Sequence, residues 1–118
     1  MSQTKVPGPL IERFRGDTVP DEVICTDVTD VGGLSFLLTV SRIENPTAAN
    51  AVANQLFQIV GVTPAPTTQR LITFTPTGPQ ADQVPATYFY DMQMIDGTGH
   101  RKTFAKGKYK FLQDITKD

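Results

Sequence analysis

Alternation of hydrophobic and polar residues divides most of this chain into short segments typical of β-strands. The clearest example is the segment 34–41, in which Leu34, Phe36, Leu38 and Val40 alternate with mostly polar residues. Successive side chains of a strand point to opposite faces of a sheet, so a period of two predicts a strand with one buried face.

The same alternation, or a run of β-branched and aromatic residues, recurs between turns rich in glycine and proline. The stretch 44–54 contains four alanines and favours either one helical turn within a loop or a short helix. The other predicted strands cover residues 11–17, 18–27, 55–62, 69–75, 87–95 and 103–112. About seven short strands with little helix favour an all-β sandwich over a barrel or a mixed fold.

The chain is predicted to form one domain with an arm. Residues 1–10 hold two prolines and a glycine and show no periodicity, so we expect an extended N-terminal arm. Residues 11–118 are then a single β-sandwich domain, in keeping with a length of 118 residues.

The last two predicted strands form a hairpin closed by the turn Asp96-Gly-Thr-Gly99. On the first of them, Tyr88, Tyr90 and Met92 share one face, which we expect to join the core. Tyr88 follows a proline-containing corner and is placed to hydrogen-bond back to it, as tyrosines near the start of the penultimate strand do in sandwich domains.

On the second strand of the hairpin, Phe104 is out of phase with Tyr109 and Phe111. A bulge of one residue near Gly107 would bring all three aromatic side chains inward, and a glycine within a strand often marks such a bulge.

Charge and composition narrow the function classes. The formal net charge is −1, which argues against a globally basic nucleic-acid binder. No apolar run approaches the ~20 residues needed to cross a bilayer, and the N-terminus lacks the apolar segment of a signal peptide, so we expect folding in a cytoplasm without membrane association. Cys25 is the only cysteine and is predicted to be a small buried hydrophobic residue.

No catalytic, cofactor-binding or metal-binding constellation is predicted. His100 is the single histidine, and its place in a turn indicates an exposed side chain. The loop 27–33 carries two aspartates but lacks the dense oxygen-ligand pattern of a calcium loop. The chain is therefore predicted to be no enzyme and to need no cofactor.

A row of cations lies along the last predicted strand. Lys106, Lys108 and Lys110 share one face, and Arg101 and Lys102 are nearby. One interpretation is a solvated face that guards an edge against unwanted strand pairing. The other is a docking surface for an acidic partner, or a weak polyanion contact.

Several motifs resemble those of immunoglobulin-like domains in tailed-phage virion proteins, notably the N-terminal domain type of baseplate upper proteins. They occur in the same order along residues 13–116. The motifs are Phe14-Arg-Gly-Asp-Thr18, Thr87-Tyr-Phe-Tyr-Asp-Met-Gln93, Asp96-Gly-Thr-Gly99, Thr103-Phe-Ala-Lys-Gly107 and the tail Asp114-Ile-Thr116.

The resemblance implies an immunoglobulin-like β-sandwich of about seven antiparallel strands with at most one short helical turn. It implies a non-enzymatic structural protein of the virion, assembled in the host cytoplasm, that acts as a baseplate or tail adaptor. Its partners would be other virion structural proteins or copies of itself in a symmetric assembly.

Two alternatives remain open. The first is a capsid decoration or head-fibre protein. The second is a carbohydrate-binding module for host attachment, which predicts exposed aromatic side chains on a loop or a sheet face. A small hydrolase would need a second histidine or a clustered acid pair, and the sequence shows neither.

Overall fold

The protein is represented by a computed structural model that describes residues 3–5, 10–43 and 54–113. Two predictions lie outside these residues: the short helix or helical turn within 44–54, for which only Asn54 is described, and the tail motif 114–116. The proposed boundary between an arm and a domain stays a prediction. Residues 3–5 form a strand that pairs with the sandwich.

The described residues form eight strands and two single helical turns. The helical turns are the 3-10 turn Thr67–Gln69 and α1, Gly78–Ala81. The strands are β1 Gln3–Lys5, β2 Leu10–Phe14, β3 Asp21–Ile24, β4 Ser35–Ser41, β5 Gln55–Val60, β6 Leu71–Phe74, β7 Ala86–Ile95 and β8 Arg101–Leu112.

The strands make two sheets that pack as a sandwich. The smaller sheet has the order β1-β3-β6, and the larger has the order β2-β8-β7-β4-β5. In immunoglobulin nomenclature β3 and β6 are strands B and E, while β4, β7 and β8 are C, F and G, with β5 at the C′ position. The prediction of an all-β, immunoglobulin-like sandwich is confirmed.

Three details differ from the expectation. Within residues 3–5, 10–43 and 54–113 there are eight strands, where about seven were expected, and two short helical turns, where at most one was expected. The pairs β1–β3 and β2–β8 are parallel, whereas every other pair is antiparallel. Alternation shows which face a side chain occupies but contains no information on strand direction, so these parallel pairs could not be read from the pattern.

The core lies between the sheets and is rich in aromatic side chains. Tyr109 lies edge-on to Phe57 and to Tyr90, with ring centroids 6.3 Å apart in both pairs. Such edge-to-face pairs stabilise a core beyond the area they bury. Cys25 is fully buried, as predicted, and so is Val31, which anchors the loop between β3 and β4.

A β-bulge lies on β8, but not at the predicted position. Ala105 pairs with Met92 and Thr103 pairs with Gln93, so Phe104 is the extra residue. The prediction of a bulge near Gly107 is therefore wrong, because Gly107 pairs in register with Tyr90. The expected consequence is nevertheless found, since the Phe104 ring packs edge-on against Phe36 with centroids 5.7 Å apart.

The corner before β7 is fixed by two polar contacts. The Tyr88 hydroxyl donates to the carbonyl oxygen of Val84 at 2.8 Å, which confirms the predicted tyrosine corner. Just upstream, Thr77 and Gln80 form a reciprocal capping box at the start of α1. These contacts hold the connection from the smaller sheet to the larger one.

The close approach of the sheets near the end of β5 predicts that replacing glycine by alanine costs more stability at Gly61 than at Gly97. A Cβ at Gly61 would lie 2.7 Å from Ile72 and 2.9 Å from Phe74, whereas nothing lies within 4 Å of a Cβ at Gly97. Gly61→Ala should cost about 1–3 kcal/mol by overpacking, and Gly97→Ala less than about 0.5 kcal/mol. Urea unfolding measures both, and equal losses would contradict the packing described here.

Candidate functional site

The most strongly connected polar group inside the sandwich is the guanidinium of Arg13 on β2. Its Nη2 donates to Asp21 Oδ2 at 2.8 Å, and its Nε donates to the Tyr109 hydroxyl at 2.9 Å. The Tyr109 hydroxyl in turn donates to Asp21 Oδ2 at 2.6 Å. These three side chains join β2 and β8 of the larger sheet to β3 of the smaller one.

Burial makes this polar triad strongly coupled. The side chains of Arg13 and Asp21 are 3% and 5% exposed. Burial raises the pKa of Tyr109 far above its ordinary value, and the charge of Asp21 raises it further, so the hydroxyl stays protonated. Burial alone would lower the pKa of Arg13, but Tyr109 and Asp21 outweigh it, so the net shift is upward. The guanidinium of Arg13 and the hydroxyl of Tyr109 therefore both stay protonated near neutrality.

Arg13 also organises the loop that follows β2. Its Nη1 donates to the carbonyl oxygens of Asp17 and Val19, at 2.6 Å and 2.7 Å. The Asp17 carboxylate accepts from the amide of Val19, and Gly16 adopts a φ of 85° that favours glycine. The motif Phe14-Arg-Gly-Asp-Thr18 thus forms the turn that leads from β2 of the larger sheet towards β3 of the smaller sheet.

Sequence reasoning missed Arg13 and Asp21 as structural residues. Both lie at core-facing positions, since Ile11 shares a face with Arg13 and Val23 shares a face with Asp21. Two opposite charges, each at a core-facing position of its own strand, were the available signal. It was obscured because charged residues are rarely buried unless they are paired.

The other candidate surface is the side of the larger sheet that faces away from the core, which we call the outer face. Register places Leu10 beside Lys108, Glu12 beside Lys110 and Phe14 beside Leu112 on this face. Large hydrophobic side chains are open to solvent there, because Leu10 and Phe14 are each 50% exposed and Val60 on β5 is 70% exposed.

The structure brings together four of the five cations of the predicted docking face. Arg101, Lys106, Lys108 and Lys110 lie on the outer face by register with β7. Lys102 does not join them, because its Nζ lies 3.0 Å from Asp27 Oδ2 on the opposite side of the strand. Whether the outer face docks a partner stays a prediction at this point.

Asp91 lies near the middle of the outer face, between Lys106 on β8 and Thr39 on β4. Among the described residues, its Oδ1 atom is shielded from solvent and has no hydrogen-bond partner. Burial raises the pKa of Asp91, and the charge of Lys106 opposes that shift without cancelling it. The outer face therefore contains an acceptor that is not satisfied within the described part of the chain.

The hairpin turn at one end of the sandwich is a locally closed structure. The Asp96 carboxylate accepts from the amides of Thr98 and His100, at 2.9 Å and 3.0 Å, and from the Thr98 hydroxyl. His100 is exposed, as predicted. A cavity of about 260 Å³ lies beside this turn, with Val28, Leu34 and Met94 among the lining residues.

Within residues 3–5, 10–43 and 54–113, no three His, Cys, Asp or Glu side chains come close enough together to hold a metal ion. In the same part of the chain, no helix has the length and apolar character needed to span a membrane.

No protein-family model and no curated protein matches the sequence. Among solved structures, the crystal structure of CopC from Methylosinus trichosporium OB3b is similar with a TM-score of 0.40 at 10% sequence identity. The match covers 73% of this chain and 81% of that chain. At this level of similarity no property of that protein is transferred to this one.

Two Arg–Asp pairs have similar lengths, 2.8 Å and 2.7 Å, but differ in burial. Asp21→Asn should destabilise the fold by about 3–5 kcal/mol, because it leaves the buried Arg13 without its counter-charge. Tyr109→Phe should cost about 1–3 kcal/mol, since one hydroxyl leaves the triad. The measurement is the free energy of unfolding in urea at neutral pH.

The matched control is Asp82→Asn in the exposed pair that Asp82 makes with Arg15, where Nε and Oδ1 are 2.7 Å apart. Its loss should be no more than about 1 kcal/mol. A loss at Asp82 as large as that at Asp21 would contradict the importance of burial.

The raised pKa of Asp91 predicts a pH dependence with a definite sign. The folded state holds the Asp91 proton more tightly than the unfolded state, so this group favours folding in acid. That contribution is lost as the pH rises from the ordinary value of about 3.9 through the raised pKa. Asp91→Asn should therefore be more stable than wild type at neutral pH, and the difference should shrink as the pH falls.

Asp96→Asn is the control with the opposite sign. Hydrogen bonds from the Thr98 hydroxyl, and then from the amides of His100 and Thr98, lower the pKa of Asp96. Its contribution is present above the ordinary pKa and is lost as the pH falls through the lowered one. The variant should thus be less stable than wild type at neutral pH, and shifts of the same sign at both positions would refute the assignment.

Proposed function

We propose that the protein is a non-enzymatic structural subunit of a tailed-phage virion that acts as an adaptor or assembly subunit of the baseplate or tail. The observation that carries the proposal is the outer face, where large exposed hydrophobic side chains lie beside a row of cations. Exposed apolar patches rimmed by polar residues are typical of protein interaction sites.

The place of the motif residues supports the same proposal. Asp17 holds the turn that connects the sheets, and Tyr88 fixes the corner before β7. The positions that carry the resemblance to phage domains therefore stabilise a rigid sandwich. A rigid sandwich that presents one sheet to a neighbour suits passive assembly, in which symmetry multiplies the contact.

The test is quantitative mass spectrometry of purified virions from the strain that carries the gene. We expect this chain at a fixed ratio to a tail protein, with a copy number that is a small multiple of the tail symmetry. Its absence from virions would refute the proposal. Hundreds of copies per particle would instead favour a capsid decoration or head-fibre protein.

The carbohydrate-binding alternative stays a prediction with its own test. Tyr88 is half-buried and its hydroxyl is bonded to the backbone, so it is not an open stacking platform. Phe14 on the outer face is the aromatic side chain that is half exposed. Binding of glycans on an array, lost in Phe14→Ser, would favour host attachment over assembly.

A further inference from the structure

We propose that the outer face docks a protein partner with an acidic surface, whose carboxylates pair with Lys108 and Lys110 and whose apolar side chains cover Leu10 and Phe14. This inference rests on the proposed function only in taking the outer face as the assembly surface. The nature of the partner follows from charge, spacing and the exposed apolar side chains of this face.

Charge favours an acidic partner over a second copy of this chain. Among the described residues of the outer face, the four cations Arg101, Lys106, Lys108 and Lys110 lie beside two carboxylates, those of Glu12 and Asp91. Two copies docked face to face would therefore bring a net excess of cations together. An acidic protein surface would instead be attracted, although the chain as a whole is slightly negative.

Geometry favours a protein over a nucleic acid. The cations are interleaved with hydrophobic side chains, since Lys108 lies between Leu10 on β2 and Phe89 on β7. A phosphate backbone would gain little from those apolar neighbours, whereas apolar side chains of a protein partner would pack against them. Side chains two apart on a strand are about 7 Å apart, so Lys108 and Lys110 fit carboxylates at alternate positions of an extended partner.

Leu10 and Phe14 add a requirement for apolar contacts. Each is 50% exposed on β2, beside the lysines of β8. Aromatic or aliphatic side chains on the partner would remove this apolar area from water. The partner surface is thus acidic at the level of β8 and apolar at the level of β2.

The test uses three soluble probes: poly-glutamate, a glutamate–tyrosine copolymer with four Glu per Tyr, and an oligothymidylate of matched charge. Binding to the full chain is followed by titration calorimetry, and the site is mapped by amide chemical shifts. The copolymer should bind tightest, because its tyrosines can cover the exposed Leu10 and Phe14. The oligothymidylate should bind at least about tenfold more weakly than the copolymer.

Matched variants locate the binding site. Lys108→Gln with Lys110→Gln should weaken copolymer binding about tenfold, the loss expected for two exposed ion pairs. Arg70→Gln with Lys102→Gln removes the same charge away from the outer face and should leave affinity within about twofold. Phe14→Ser should reduce the preference for the copolymer over poly-glutamate, since it removes an apolar contact for the tyrosines.

Three outcomes would overturn the inference. Equal or tighter binding of the oligothymidylate would make the outer face a nucleic-acid surface. Sedimentation that shows self-association, lost in the Lys108 and Lys110 variant, would make it an interface between copies. No copolymer binding, or an equal loss in the Arg70 and Lys102 control, would leave no acidic docking site. These outcomes are independent of the virion measurement, so either proposal can fail alone.

Discussion

The buried contact among Arg13, Asp21 and Tyr109 is the constraint on which the rest of the structure depends. It ties β2 and β8 of the larger sheet to β3 of the smaller sheet. The domain has a single cysteine, which can form no intrachain disulfide. A buried ion pair is not stabilising by itself, because desolvation can exceed the Coulombic gain. Here a phenol and two backbone carbonyls accept three more N–H groups of the guanidinium, which makes the arrangement specific for one packing of the two sheets.

Much of this fold could be predicted because its core is encoded by simple alternation. The inward positions of Phe36, Leu38 and Val40, the tyrosine corner at Tyr88 and the buried Cys25 all follow from period and position. Arg13 and Asp21 could not be assigned with the same rule, since it places charged residues outside. Their burial depends on a contact between strands that are distant along the chain, which no local pattern contains.

The bulge on β8 shows that alternation predicts the presence of an extra residue but not its position. Phe104 is out of phase with Tyr109 and Phe111, so one extra residue was expected between Thr103 and Tyr109. A glycine often marks the position of such a bulge. The extra residue is Phe104 itself, because Gly107 stays in register opposite the large Tyr90 side chain. The helical turn that begins after Thr77 was missed for a different reason. Its capping-box pattern is present in the sequence 77–80, but a single helical turn is hard to recognise within a proline-rich connection.

The carboxylate in the core of the sandwich and the carboxylate on the outer face differ in their hydrogen bonding. Asp21 is fully enclosed and receives hydrogen bonds from two side chains, whereas Asp91 has a shielded oxygen with no donor among the described residues. The same chain that satisfies a charge deep in its core thus leaves one incompletely satisfied on a sheet face. Leu10 and Phe14 stay half exposed on that same face, so a surface that covers them removes their apolar area from water and leaves Asp91 as it is.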